Sequence, residues 1–426
     1  MDAIVREIGK VVYDRAVELA KMAADETRMG VFEDKVKKNQ GKARIIWNSL
    51  KNKKSVGIIN YFPETGVAEV AKPMGVVGAV TPCTNPIVTP MCNAMFALKG
   101  RNSIIIAPHP RGKKCAKYLV ELFNDAIKKF NAPENLIQVI EEPSVELTNE
   151  LMKAVDVVVA TGGMGMVKAA YSSGKPAYGV GAGNVQCIID RGFDLSDAIP
   201  KIIAGRVFDN GIICSGEQTI MVHEDDYDKM VAQLKENGVF YISNAADIDK
   251  IRKALFVDSI MNKDLVGQSV AKVAEIAGIS IPEGTRAIAV KAEGIGKADI
   301  LCKEKMCPVV ATFKYKSFKE AVDMAMTNLE VEGKGHSISI HSDNKENIEY
   351  AANIVPVSRV LINQVCATMN GGSFYNGFAA TTTLGCGSWG NNSISENLDY
   401  KHLINITRIG YYMKASKVPS DEEIWG

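Results

Sequence analysis

The sequence predicts an α/β protein built on a doubly wound parallel sheet, with a second α/β domain after it. Three observations predict this. From Gly75 short apolar runs alternate with stretches of helical periodicity, a glycine-rich loop follows one such run and opens a helix, and the alternation resumes after about Ile202. Strand-then-helix repetition puts helices on both faces of a parallel sheet and gathers ligands where strands end. At 426 residues the chain also exceeds a single hydrophobic core.

Residues 1–53 read as two helices, because Ile4, Ile8, Val11, Val12, Ala16 and Leu19 recur at three- and four-residue steps. Residues 55–72 form a hairpin signature: SVGIINYF, a Pro63-Glu64-Thr65-Gly66 turn, then VAEVAKP. Strands follow in GVVGAVTP, NSIIIAP, NLIQVIEEP and DVVVATGG, separated by the helical segments NPIVTPMCNAMFALKG, KKCAKYLVELFNDAIKKF and VELTNELMKA, with MVKAAYSSG closing the series. The loop Thr161-Gly162-Gly163-Met164-Gly165 exposes backbone N–H groups at a helix start, which suits an anion. It is not GxGxxG, and no acid stands ~20 positions downstream. It therefore reads equally as a cofactor loop or as glycine required by tight helix-to-strand packing. Leu403–Gly410 is strand-capable. The expected division is N-terminal helices and a dinucleotide-binding domain over 1–202, a second domain over 203–392, and a C-terminal segment over 393–426.

Fifty basic and 49 acidic side chains leave a net charge of +1, which gives no electrostatic footprint for nucleic acid or an anionic membrane. No apolar run approaches the ~18 to 20 residues of a membrane span. The amphipathic, charged start MDAIVREIGKVVYDRAVELAK is unlike a signal sequence, so a cytoplasmic location is expected. Nine cysteines, at 83, 92, 115, 187, 214, 302, 307, 366 and 386, lack CxxC or Cys/His spacing. Neither a disulfide framework nor a metal site is expected, and most of these thiols should be buried.

Asp209-Asn210-Gly211-Ile212-Ile213-Cys214-Ser215-Gly216-Glu217-Gln218 places one cysteine in a turn-prone segment at the junction of the two patterned regions, where active sites collect. On composition alone it is equally a buried structural thiol. Five further motifs stand around it in order: Pro82-Cys83-Thr84-Asn85-Pro86, Ala107-Pro108-His109-Pro110, ATGGMGMVKAAYSSGKPAYGVGAGN, Lys303-Glu304-Lys305-Met306-Cys307-Pro308 and TLGCGSWGNNSISEN. Together, over about residues 70–400, they resemble the CoA-acylating branch of the aldehyde dehydrogenase superfamily. GVFEDKV at 30–36, GRVFDNGIICSGEQ, SISENLDYKHLIN and PSDEEIWG are similar to the subgroup acting on succinate semialdehyde. One departure lies at the start, where members of the branch carry one more helix.

The resemblance implies the aldehyde dehydrogenase fold: a Rossmann-like cofactor domain, an α/β catalytic domain carrying Cys214, and an oligomerisation hairpin at 55–72. In such a fold the hairpin and the strand near 404–412 extend a neighbouring subunit's sheet, giving a homodimer or homotetramer. Cys214 is then the nucleophile, with a thiol pKa lowered by N–H dipoles or a cation, and its thioester passes to coenzyme A. Asn85 and the Cys214 backbone N–H form the oxyanion hole. Glu304 binds the nicotinamide ribose, and Val80, Thr81, Pro82, Cys83, Thr84, Gly163, Gly181 and Leu384 line the dinucleotide. His336, with a near-neutral pKa, moves the CoA thiol proton.

Hydrolytic relatives carry a general-base glutamate where this sequence has Gly179, so the acyl-enzyme must wait for coenzyme A. His109 and Arg111 replace a lysine and a glutamate that grip the adenosine ribose in many relatives, which favours NADP(H) over NAD(H). The distal carboxylate of succinate semialdehyde calls for a cation and a hydroxyl, for which Lys42 and Ser215 are the candidates. Two alternatives remain: the same chemistry on acetaldehyde or sulfoacetaldehyde, or a catalytically silent scaffold that exposes the hairpin. A scaffold has no need to keep Cys214, Asn85 and Glu304 together.

Overall fold

The computed structural model describes residues 1–414 and 416–426. Five parallel strands form the first sheet, in the order Ile137–Val139, Ser103–Pro108, Val76–Thr81, Val157–Thr161, Ala177–Val180. Counted along the chain this is 3-2-1-4-5, the doubly wound order that opens a crevice between its first and fourth strands. Val76–Thr81 and Val157–Thr161 are apolar almost throughout because both faces are covered, and each is buried along nearly its whole length. Their ends, at Thr81 and Thr161, border the crevice.

Seven parallel strands form the second sheet, in the order Val239–Ile242, Ala287–Lys291, Val309–Tyr315, Thr219–His223, Gln186–Ile189, Ile338–His341, Val360–Ile362. This corrects the expected domain limit. Gln186–Ile189 lies inside the second sheet, and Ile199, Ile202 and Ile203 of helix Leu195–Val207 pack on it. The change of domain therefore falls at 181–185 rather than at 202. Periodicity marks a buried strand but not the sheet it joins.

Residues 1–53 hold three helices, not two: Asp2–Asp14, Ala16–Thr27 and Phe32–Leu50. The first break is one residue, Arg15, at φ −99° and ψ 22°. It barely disturbs the apolar spacing, so the pattern reads through it.

In the hairpin, Gly57–Phe62 pairs antiparallel with Val67–Pro73. Ile404–Gly410 pairs with the other side of Val67–Pro73, from Ile404 opposite Pro73 to Gly410 opposite Val67. The two segments expected to extend a neighbour's sheet thus pair with each other, leaving Gly57–Phe62 and Ile404–Gly410 as open edges. Among the described residues no helix is long and apolar enough to cross a membrane.

Candidate active site

Helix Leu195–Val207 ends in the turn Phe208–Gly211, where Asp209 and Asn210 take left-handed φ values of 51° and 54°. The turn delivers Cys214 to the wall of a cavity of about 350 Å³, which Asn85, Ser215, Leu384, Lys38 and Lys42 also line. Exposed Phe374 and Tyr375 stand at this cavity as well. Behind the nucleophile the chain crosses between the sheets, and a Cβ on Gly183 would fall 1.8 Å from the Cys214 carbonyl oxygen. Only glycine allows that approach. The run Gly181-Ala182-Gly183 was the available signal, but it pointed to the cofactor rather than to the cysteine.

The electrostatics around Cys214 disfavour a resting thiolate. Burial pushes the thiol up to about 12, the Glu304 carboxylate adds to the shift, and the Arg359 guanidinium opposes it. Glu304 is itself buried, and that burial together with Glu332 raises its carboxyl to about 8. At neutral pH both groups are therefore protonated. Val180, Leu384 and Cys386 form the apolar patch against which Cys214 packs.

The crevice of the first sheet fits a dinucleotide. Gly163 caps helix Met164–Tyr171, and a Cβ there would meet nothing within 4 Å; at Gly162 the nearest atom would be 3.8 Å away. Packing inside the protein therefore does not require these glycines, and the helix start is left open to a phosphate. Val80 and Thr81 end the neighbouring strand, with Pro82, Cys83 and Thr84 in the turn beyond it. Gly181 lies under Met164, whose sulfur would be 2.3 Å from a Cβ at that position. At the next strand end, His109 Nδ1 accepts from the Arg111 N–H at 3.1 Å, and the exposed Arg111 guanidinium donates to the Thr27 carbonyl at 3.2 Å. No cluster of His, Cys, Asp or Glu among the described residues could hold a metal ion.

The family model described as "Aldehyde dehydrogenase family" matches residues 2–240 of the 426, a span that contains both Asn85 and Cys214. The chain belongs to the aldehyde dehydrogenase family. Over 426 residues, all of its length, this aldehyde dehydrogenase is 57% identical to a succinate-semialdehyde dehydrogenase (acetylating) from Clostridium kluyveri, of which it covers 94%. An acetylating aldehyde dehydrogenase from Geobacillus thermoglucosidasius superposes with a TM-score of 0.94 at 37% identity, over 99% of this chain and 92% of the other. A Rhodopseudomonas palustris propionaldehyde dehydrogenase with bound CoA and an acylated cysteine superposes at 0.86, with 26% identity, over 96% and 91%.

Within this aldehyde dehydrogenase the expected residues divide. Cys214, Asn85, Ser215, Leu384 and Lys42 meet at one cavity, with Glu304 close enough to act on the Cys214 thiol. His336 does not join them. It is fully buried, its Nδ1 bonds the Ser337 hydroxyl at 3.0 Å, and burial together with Arg359 drives its pKa well below the usual value. In place of the near-neutral proton carrier expected there stands a buried imidazole held neutral, outside the cavity lining. The expected lowered pKa of Cys214 is likewise reversed, because desolvation exceeds the nearby cation.

Gly179 also changes meaning in this aldehyde dehydrogenase. A Cβ there would point at Val167 and the Tyr171 ring, 2.8 and 3.0 Å away, while the next residue, Val180, packs with Cys214. Alternation along a strand makes these two positions face opposite ways. The side chain beside the cysteine on this strand is thus an apolar valine, which cannot serve as a base. Ser215 spends its one proton on the Ala367 carbonyl at 3.0 Å, so it is not free to donate to a substrate carboxylate. Lys42 bonds the Gly371 and Thr381 carbonyls at 2.9 and 3.1 Å and keeps a third N–H.

Proposed function

We propose that this aldehyde dehydrogenase interconverts succinate semialdehyde and succinyl-CoA through a thioester on Cys214, with NADP(H) or NAD(H) as its redox partner. One observation carries the substrate reading: the cavity that presents Cys214 also holds a half-buried cation, Lys42, with a donor to spare. The relative from Clostridium kluyveri supports it by name.

The Cys214 thiol gives its proton to solvent as its sulfur bonds to the aldehyde carbon, and negative charge moves to the carbonyl oxygen. The Asn85 amide and the Cys214 backbone N–H receive that charge. A bound nicotinamide dinucleotide supplies a hydride acceptor, and loss of hydride leaves an acyl thioester on Cys214. With Val180 beside it and Glu304 protonated at neutral pH, no carboxylate there is ready to activate water. The CoA thiolate adds to the thioester and Cys214 departs. In balance, aldehyde, CoA thiol and oxidised dinucleotide give acyl-CoA, reduced dinucleotide and a proton. One thioester replaces another, so the transfer is nearly isoenergetic and reversible.

The test is turnover of an aldehyde panel with CoA and each dinucleotide. Burial lowers Lys42 to about 8, so it is a cation below that pH and neutral above it. The KM for succinate semialdehyde should rise as pH passes 8, while that for acetaldehyde stays flat. Lys42→Met should cut the preference for succinate semialdehyde by ~10- to 100-fold in kcat/KM, the worth of one hydrogen bond to a charged group. An unchanged preference would mean that the carboxylate is gripped elsewhere.

For the dinucleotide, we propose NADP(H), with exposed Arg111 facing the 2′-phosphate. Arg111→Ala should then raise the KM for NADP⁺ by ~10-fold and leave that for NAD⁺ unchanged. Equal effects on both would refute this preference. A homodimer or homotetramer through the open edges of the three-stranded sheet is the assembly we propose, since long exposed edges invite pairing.

A further inference from the structure

Asn85 carries a carboxamide whose two ends differ, and its neighbour decides which end faces the cavity. Lys38 Nζ lies 2.7 Å from Asn85 Oδ1. An ammonium group only donates, so the oxygen must face it and Nδ2 is left as the free donor. Lys38 is held from its other side by Asp209 Oδ2 at 2.5 Å, and its side chain is only 9% exposed.

Asp209 is wholly buried and anchored from several directions. It pairs with Lys35 at 3.2 Å and accepts the Val31 N–H at 2.8 Å, while its own N–H donates to Asp34 at 2.9 Å. A Cβ on Gly30 would lie 1.9 Å from its carboxylate, so the chain closes tightly over it. Burial works to raise the carboxyl, but Lys38 and Lys35 hold it below the usual range, and it stays an anion. Asp209 also stands five residues before Cys214, in the turn that presents the thiol.

We infer that Lys38, fixed by Asp209, is a positioning residue for the reaction: it turns the Asn85 amide N–H toward the aldehyde oxygen and polarises that amide as a donor. A cation on the amide oxygen draws density from the nitrogen and strengthens its N–H, as in other hydrogen-bonded chains. One carboxylate thereby sets both the nucleophile's turn and the oxyanion donor, which keeps the two in register. The inference rests on Asn85 being that donor.

The experiment compares kcat and KM for Lys38→Met, Lys38→Arg, Asn85→Ala and the Lys38→Met/Asn85→Ala double variant, with thermal melting and dinucleotide binding as folding controls. Asn85→Ala should lower kcat by ~10²- to 10³-fold. Lys38→Met should lower kcat by ~10- to 100-fold with KM within ~3-fold, because the lost interaction belongs to the transition state. Lys38→Arg should recover part of the rate, and the double variant should be no slower than Asn85→Ala alone. A Lys38→Met enzyme at the wild-type rate, or a double variant whose loss is the product of the two single losses, overturns the role of Lys38. Asn85→Ala at the wild-type rate refutes the oxyanion assignment instead, a separate failure. If Lys38→Met does not fold, Lys38→Gln carries the same comparison.

Discussion

Cys214→Ala abolishes CoA-dependent aldehyde oxidation, with a loss of at least ~10⁴-fold, while dinucleotide binding and melting temperature stay near wild type. The size follows from chemistry: among the described residues no other thiol lines the cavity, and alanine cannot form the thioester. Cofactor binding survives because the crevice at Thr81 and Gly163 belongs to the first sheet, whereas the cysteine follows a helix of the second. Mass spectrometry of wild-type enzyme mixed with succinyl-CoA, without dinucleotide, should find an acyl adduct on Cys214 and none in the variant. An adduct on another cysteine would overturn the assignment. The acylation rate should climb as pH rises well above neutral, because the thiol is held up at about 12 and its thiolate fraction grows with each pH unit.

Gly183→Ala should be nearly as damaging although the residue performs no chemistry. Its Cβ would meet the Cys214 carbonyl oxygen at 1.8 Å and the α-carbon at 3.4 Å, so the nucleophile's backbone must move. A displacement on the order of 1 Å at reacting atoms costs ~10²-fold in rate, which is the fall in kcat expected here. The readout is kcat together with the alkylation rate of Cys214, and both should fall. A Gly183→Ala enzyme with normal kcat would show that the crossing segment gives way rather than the nucleophile loop. The same substitution at Gly163 meets open space in the protein and should cost stability little.

Much of this was legible in the sequence, for identifiable reasons. The parallel strands could be read because burial on both faces makes them apolar throughout, and Cys214 and Asn85 because their motifs stand in order around the sheet junction. What could not be read depends on partners far away in sequence. The sheet joined by Gln186–Ile189 is set by its neighbours at 219–223 and 338–341. Lys38 sits in KVKKNQGK among several lysines, and nothing local separates Lys35 and Lys38, which reach Asp209, from Lys37, which faces solvent. The pKa values of Cys214 and His336 depart from what their neighbours in sequence imply, because desolvation is a property of the folded surroundings. Which of Gly179 and Val180 faces the cysteine could not be read either, since strand alternation sets the two apart but only the packing of Tyr171 and Cys214 says which side each takes.

The pairing of Ile404–Gly410 with Val67–Pro73 has a consequence for how the molecule is made. Asn102, at the start of the first sheet's second strand, donates to the Leu403 carbonyl at 2.7 Å, and Leu398, Tyr400 and Leu403 sit in the same core as Val77 and Ile104. The domain whose synthesis begins first is therefore finished last. While the ribosome builds the whole second sheet, the hairpin's inner strand waits with one side unpaired and its core short of a wall. Transient exposure of this kind is where nascent chains meet chaperones or each other. A chain released before about residue 400 should aggregate rather than fold, even though it already carries Cys214, Asn85 and both sheets.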